Sequence, residues 1–454
     1  MLDLIAYTNC AHSPAVEDAW KAPDHGQAAG YCDVDFWTDL ARRLERGGFS
    51  ALFFADAFNV ASQYRGSIRP TVRRGEQFPE NDPLPLLSAL GAATDSLGLI
   101  ATASTSFYPP YLLAKKLSTI DHLTDGRLGW NVVTSSGELE FRNVVGEYVA
   151  HDERYEVADE YLDVCYRLWE HSWDADAVVT ERASGTYADP DAVSFIDHDG
   201  EYFEVPGPHM CAPSPQRTPM LFQAGQSERG REFAAKHAEA TFSFHLSRGG
   251  FEDYVADIVD RAAEYGRSRD DIRFFPAVTP YVAPTESDAE SLYDRVIDYI
   301  DPETGLVRLS NHFNHDYSQY DPDAPLADLP VEGIRGALKV FIDDDREWTV
   351  GEAAKRYARY PAVELVGDGA SVADELAQWH AAGADGLVVL APLVPRSFEA
   401  VCDHLVPELR SRGLLPESPP TAPRTLRERL FDREDPTLAA SHRAWEVAPE
   451  QGER

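Results

Sequence analysis

Lysine is scarce. Only Lys21, Lys115, Lys116, Lys236, Lys339 and Lys355 stand among the 41 basic residues of this 454-residue chain, against 77 Asp plus Glu. The formal net charge of −36 creates a field that repels phosphodiester backbones and anionic headgroups, so nucleic-acid and peripheral-membrane roles are disfavoured. An Asp-rich, Lys-poor surface suits life in high salt. A GC-rich genome accounts for the missing lysine but not for the whole acidic excess. Cys10, Cys32, Cys165, Cys211 and Cys402 are an odd, scattered set without a C-x-x-C pair, which excludes a disulfide framework or zinc knuckle and fits a reducing compartment. Long apolar runs are missing as well. The late run Gly386 to Val394 is far too short to span a membrane, and MLDLIAYTNCAHS lacks the basic and apolar parts of a signal peptide. A soluble cytoplasmic protein is expected. Finally, the chain has no G-x-G-x-x-G after a strand, no G-x-x-x-x-G-K-[ST] and no H-E-x-x-H. Redox chemistry would therefore need a carried cofactor.

What is present is an alternation of short apolar runs with amphipathic stretches of helical period, the pattern of βα units around a parallel sheet. Strands are expected at Leu2–Thr8, Ala51–Ala55, Leu97–Thr105, Arg127–Thr134, Pro219–Ala224, Ala240–Leu246, Ile272–Val282 and Gly386–Ala391. Helices are expected at Phe36–Arg46, Leu84–Asp95, Tyr111–His122, Glu153–Trp169, Glu228–His237, Phe251–Tyr265, Glu286–Ile300 and Phe398–Leu409. Eight pairs are what a (β/α)8 (TIM) barrel requires, with a doubly wound open sheet as the competitor. The reading is a single barrel over residues 1–412 with insertions at about 171–218 and 301–379, followed by an extension, 413–454. That extension carries a Pro-rich patch at Pro416–Pro423 and a last helix near Leu426–Phe431.

A barrel of this kind keeps its chemistry at the carboxyl ends of its strands. There the sequence offers Asn9, Cys10 and His12, then Asp56, then Thr102, Ser104 and Thr105, then Asn131, Thr134 and Ser135. The fifth strand ends in Gln223-Ala-Gly-Gln-Ser227, where Ser227 is placed as a helix N-cap and the free N–H groups beyond it form a seat for phosphate. Capping alone accounts for Ser227 too. His151 and Tyr155, four apart, share one helical face. Asn311-His-Phe-Asn-His315 has two histidines three apart but no third ligand at matching spacing, so no metal is assigned and His312 reads as pocket lining. Arg65, Arg69, Arg73 and Arg74 cluster after the second strand, as a steering site for an anion or as an ordinary salt-bridged loop.

Thr102-Ala-Ser-Thr-Ser-Phe-Tyr-Pro-Pro-Tyr-Leu-Leu-Ala followed by Ser118-Thr-Ile-Asp-His-Leu-Thr-Asp-Gly-Arg-Leu-Gly-Trp-Asn-Val-Val-Thr-Ser135 resembles the bacterial-luciferase-like flavin monooxygenases. The likeness is to the branch of nitrilotriacetate, dibenzothiophene-sulfone and long-chain alkane monooxygenases and the pristinamycin synthase oxygenase. It continues through Phe53-Phe-Ala-Asp56, His151-Asp-Glu-Arg-Tyr155, Gly200-Glu-Tyr-Phe-Glu-Val-Pro-Gly-Pro208 and Pro219-Met-Leu-Phe-Gln-Ala-Gly-Gln-Ser227, to about Arg410.

The resemblance implies a two-component monooxygenase. Reduced FMN comes from a separate NAD(P)H:flavin oxidoreductase, and one atom of dioxygen goes to a small organic substrate. Carried over by position, Asp56, Thr102 or Ser104, Asn131, His151, Tyr155 and Ser227 contact the flavin, with Ser227 at its phosphate. Cys10, His12 and His312 are the candidates for substrate contact or proton transfer. A homodimer or homotetramer is implied, and no metal. The alternatives are a deazaflavin-dependent dehydrogenase of the same superfamily, a flavin-binding barrel without catalysis and, more remotely, a hydrolytic barrel.

Overall fold

The computed structural model describes residues 1–326, 347–417 and 424–447. Most of the expected Pro-rich patch lies outside them. Eight parallel strands form the frame: β1 (Asp3–Asn9), β2 (Ala51–Ala55), β3 (Gly98–Ser104), β4 (Leu128–Val133), β5 (Met220–Gln223), β6 (Ala240–Ser243), β7 (Arg273–Ala283) and β8 (Gly386–Leu390). The order β6-β5-β4-β3-β2-β1-β8-β7, closed by a β6–β7 pairing, is that of a (β/α)8 barrel. Its strands are buried along nearly their whole length, because helices cover one face and the barrel interior the other.

The chain divides into two compact units. Unit 1 comprises Met1–Leu86, Ser243–Asp253 and Phe275–Pro419. In it β1 pairs β2 with Asn9 opposite Ala55, so Cys10 and Asp56 leave the two strands at one level. β1 also pairs β8 from Asp3↔Gly386 to Tyr7↔Leu390. The helix Val34–Gly47 starts on the Asp33 carboxylate and stops at Gly48, whose φ of 93° is the left-handed C-terminal cap that glycine adopts without strain.

Unit 2 comprises Leu87–Phe242, Tyr254–Phe274 and Pro420–Arg454. Here β3 pairs β4 with Thr102 opposite Asn131, and β4 pairs β5 with Asn131 opposite Phe222. The helix His151–Tyr166 runs on into a π-turn at Arg167–His171, and the Glu228–His237 helix has the expected bounds. In the 171–218 segment two short hairpins form, Val178–Glu181 with Thr186–Ala188 and His198–Asp199 with Glu204–Val205. The extension is anchored by the helix Leu426–Leu430, with Thr425 and Glu428 in a capping box.

The segment from Asp301 to Trp379, read as an insertion with no elements assigned to it, carries helices Pro302–His312, Val350–Tyr357 and Gly369–Ala381 and the strand Val363–Asp368, which pairs with β7. Asp301, Thr349 and Asp368 cap these helices, polar signals at the right places that the long spacing between apolar runs obscures. The first helix ends at His312 and Asn314 turns left-handed at φ 47°, so His312 and His315 do not share the helical face a chelate would need. No helix among the described residues is long and apolar enough to cross a membrane.

Candidate active site

The seat at the end of β5 is built from short-range sequence. Gln223 Oε1 accepts the Gly225 N–H at 2.6 Å, turning the chain sharply so that Ser227 begins the next helix. Ser227 Oγ accepts the Gly230 N–H at 3.1 Å, the expected cap. The first turn of the His151–Tyr166 helix faces it: His151 Nε2 lies 3.5 Å from Ser227 Oγ, and the His151 and Tyr155 rings meet edge to face with centroids 5.3 Å apart. His151 is half exposed and Tyr155 is buried.

A Cβ on Gly230 would come within 2.9 Å of the Tyr155 hydroxyl and 3.0 Å of Ser227 Oγ. Three donors and a bare backbone therefore crowd one helix N-terminus, the composition and polarity that hold a phosphate monoester. Arg229 adds little free charge there, because Asp159 holds it at 2.6 Å and also takes Lys236 at 3.0 Å.

On the neighbouring strand β4, Asn131 Nδ2 donates to Thr102 Oγ1 of β3 at 2.9 Å while Asn131 Oδ1 is buried without a hydrogen-bond partner. A buried orphan acceptor is costly and marks where a ligand N–H belongs. Ser104 lies two residues on, hence on the same side of β3. Its oxygen already accepts from Ser135 Oγ at 2.9 Å and from the Ser106 N–H at 3.2 Å. Of the seven residues expected at the flavin, only Asp56 belongs to unit 1.

Unit 1 holds the other candidates. Cys10 is buried directly after β1, and burial, followed by the carboxyls of Glu80, Asp56 and Asp82, pushes its thiol far up. It is a neutral thiol, not a thiolate nucleophile. His12 is partly buried; its Nε2 donates to the Phe78 carbonyl at 3.4 Å and its Nδ1 accepts from Ser13 Oγ at 3.0 Å, the roles that fit since Ser13 Oγ itself accepts the Trp20 N–H. Burial lowers the His12 pKa, which keeps the ring neutral. His312 ends its helix with solvent access on one side and its ring edge-on to Tyr357, centroids 5.4 Å apart. Crowding by protein, then the Arg308 guanidinium, holds its pKa down as well. Among the described residues no hydrogen bond joins Cys10, His12 and His312 to one another.

Sequence reasoning missed a polar network in this unit. Tyr7 Oη donates to Tyr360 Oη at 2.8 Å, Gln77 Nε2 donates to the same oxygen at 2.8 Å, and the Arg308 guanidinium lies 4.3 Å from the Tyr360 ring centre. Tyr7 reads as one more apolar strand residue, and Tyr360 lies where no element was expected. Nothing local in the sequence marks the network; in the structure Gln77 is left-handed at φ 43°, an uncommon conformation for a non-glycine residue. Of the arginine cluster, Arg74 proves structural, bridging Asp301 at 2.5 Å and Glu303 at 2.6 Å.

The chain is similar to known proteins over nearly its whole length. The family model for luciferase-like monooxygenases matches residues 18–386. The chain is 39% identical over 449 residues to dimethyl-sulfide monooxygenase of Hyphomicrobium sulfonivorans, covering 98% of this chain and 92% of that one. It is 39% identical over 428 residues to long-chain alkane monooxygenase of Geobacillus thermodenitrificans, covering 93% and 92%. The crystal structure of a riboflavin lyase with modified FMN and riboflavin superposes with a TM-score of 0.91 at 33% identity, covering 99% of this chain and all of the other. The chain belongs to the luciferase-like monooxygenase family and is a flavin-dependent monooxygenase.

Proposed function

We propose that the chain is the oxygenase component of a two-component system, taking reduced FMN from a separate NAD(P)H:flavin oxidoreductase and transferring one atom of dioxygen to a small organic substrate. The observation that carries this is the seat in unit 2, where Ser227 Oγ, the Gly230 backbone, His151 and Tyr155 converge on one helix N-terminus. Ser227 and the N–H groups it precedes would hold the phosphate, with His151 and Tyr155 as further donors beside it. Asn131 supplies an acceptor to a ring N–H, with Thr102 fixing its orientation and Ser104 and Asp56 as further flavin contacts. Reduced FMN supplies the electrons that activate dioxygen.

The chain's own groups then bind, exclude water and manage protons. A buried neutral Cys10 thiol is a donor that does not consume the oxidant as a thiolate would. His12 and His312 stay neutral at physiological pH, so His312 offers an unprotonated ring nitrogen while His12 is held between Ser13 and the Phe78 carbonyl. The absence of a dinucleotide motif supports a separate reductase, and the close likeness to monooxygenases favours this over a dehydrogenase or a non-catalytic barrel.

Anaerobic titration with photoreduced FMN and with reduced deazaflavin, followed by air-saturated buffer containing dimethyl sulfide or hexadecane, tests the reading. Expected are tight binding of reduced FMN alone and one substrate oxygenated per dioxygen consumed. Failure to bind reduced FMN, or oxidation of flavin without oxygenation of any substrate in a broader screen, overturns it.

A further inference from the structure

Unit 1 carries a cleft of about 640 Å3 beside the short helix Arg69–Arg74, lined by Arg65, Ile68, Arg69, Val72, Arg73 and Glu303 among others. Its charge is anomalous. In a chain of net charge −36, three guanidiniums here face one carboxylate, and that carboxylate is already held by Arg74 at 2.6 Å and by Arg65 at 3.7 Å. Arg69 and Arg73 have no carboxylate within 4 Å among the described residues. They are also four apart on one helix, a spacing at which like charges repel and weaken the helix. Stability is no reason to keep them.

The second anomaly is apolar. Ile68 and Val72 are 48% and 53% exposed, and the Val72 N–H donates to the Ile68 carbonyl at 2.9 Å, so the two side chains are one helical turn apart. An exposed apolar stripe thus runs next to the cationic one. Arg65 is fixed rather than mobile: its backbone is left-handed at φ 56°, its N–H donates to Asp316 Oδ1 at 3.1 Å, and its guanidinium lies 5.1 Å from the Tyr64 ring centre. A site of several hundred Å3 with a few fixed polar groups and apolar walls is of small-molecule size. Guanidinium forks match the paired oxygens of carboxylate and phosphate.

We propose that this cleft binds an organic anion, a phosphate or carboxylate head on an apolar body, the head on Arg69 and Arg73 and the body on Ile68 and Val72. With long-range repulsion acting on anions over most of the surface, it is where such a molecule first finds attraction. FMN is one source of this chemistry, an assignment that rests on the function proposed above; a carboxylated apolar molecule is the other and does not.

The test is anaerobic calorimetric titration of the full chain at low salt with reduced FMN, reduced riboflavin and dodecanoate, for the unaltered protein, Ser227→Ala, the double variant Arg69→Ala/Arg73→Ala, the same pair changed to Lys, and Arg182→Ala as an exposed arginine elsewhere. Expected is binding of FMN or dodecanoate, weakened about tenfold by the double Ala change at low ionic strength, partly restored by Lys and untouched by Arg182→Ala. FMN sensitivity without riboflavin sensitivity assigns the flavin source; dodecanoate sensitivity assigns the carboxylate source. One FMN that responds to Ser227→Ala alone, with no dodecanoate bound, overturns the cleft and leaves the proposed function standing. No FMN in any variant, with dodecanoate lost on the double change, does the reverse. Binding of polyglutamate in place of both small anions also overturns the proposal, in favour of an acidic protein surface.

Discussion

Arg427 in unit 2 and Arg308 in unit 1 are both buried, and they are balanced in opposite ways. Arg427 meets Glu239 through a fork, Nε to Oε1 at 2.6 Å and Nη2 to Oε2 at 2.8 Å, and Nη2 also donates to the Thr218 carbonyl at 2.8 Å. One cation meets one anion directly, with backbone oxygens taking the remaining protons and the Glu170 and Asp121 carboxyls acting on it from farther off. Arg308 ion-pairs with Glu17 and lies over Tyr360, but Glu76 is buried beside it, and Glu17 Oε2 and Glu76 Oε1 have no hydrogen-bond partners. One cation meets two acids. The first arrangement clamps the C-terminal extension onto unit 2; the second stores a proton. Burial pushes Glu17 up to about 8 against the opposing pull of Arg308, and raises Glu76 as well.

The largest expected effect tests the clamp. Arg427→Met leaves Glu239 buried and unpaired, which costs about 3–5 kcal/mol. Guanidinium unfolding should show a much lower midpoint; a midpoint within error of the parent would mean that Glu239 simply takes a proton, and that the two units do not differ as described. Next comes the proton store. A carboxyl whose folded pKa lies above its unfolded value binds more protons when folded, so its contribution is greatest below about pH 4.5 and is lost as pH rises towards 8. The Glu17 contribution should therefore fall across that window by about 1 kcal/mol per pH unit, read as the stability difference between the parent and Glu17→Gln, since histidines held neutral by burial, such as His25 and His209, act in the opposite sense below about pH 6.5. Glu17→Gln should flatten the slope. A difference between parent and variant that stays constant from pH 5 to 8 would show that Glu17 is ionised throughout.

Ser227→Ala probes the seat instead of the core. It should weaken reduced-FMN binding by about 1–2 kcal/mol, since the hydroxyl both caps the helix and meets the ligand. Lost thermal stability with unchanged flavin affinity would leave only the cap. The Ser227 turn was legible in the sequence because its parts lie close along the chain, a strand, a glycine, a serine and a helix within a dozen residues; His151, 76 residues away, was joined to it only through the family resemblance. The barrel was legible for a similar reason, each strand being a run short enough to read by composition.

What could not be read was assembled at long range. Tyr7 and Tyr360 are 353 residues apart, Arg308 and Glu17 291, and nothing in their local spacing marks them as partners. The helices after Asp301 were hidden by a different cause: their caps are present, but no run of apolar residues as regular as those of the barrel announces them.

The smallest effect bears most directly on that difference in wiring. Tyr360→Phe keeps the ring under Arg308 and removes only the oxygen that accepts from Tyr7 and Gln77, so it should cost about 1 kcal/mol. Tyr7→Phe should cost a similar amount, since it too breaks the hydroxyl pair inside the core. The two changes share one hydrogen bond, so the double variant should be less destabilised than the sum of the singles, by about 0.5 kcal/mol or more. An additive result would mean that each hydroxyl is satisfied separately, and the buried polar groups of unit 1 would then be as locally determined as the seat in unit 2.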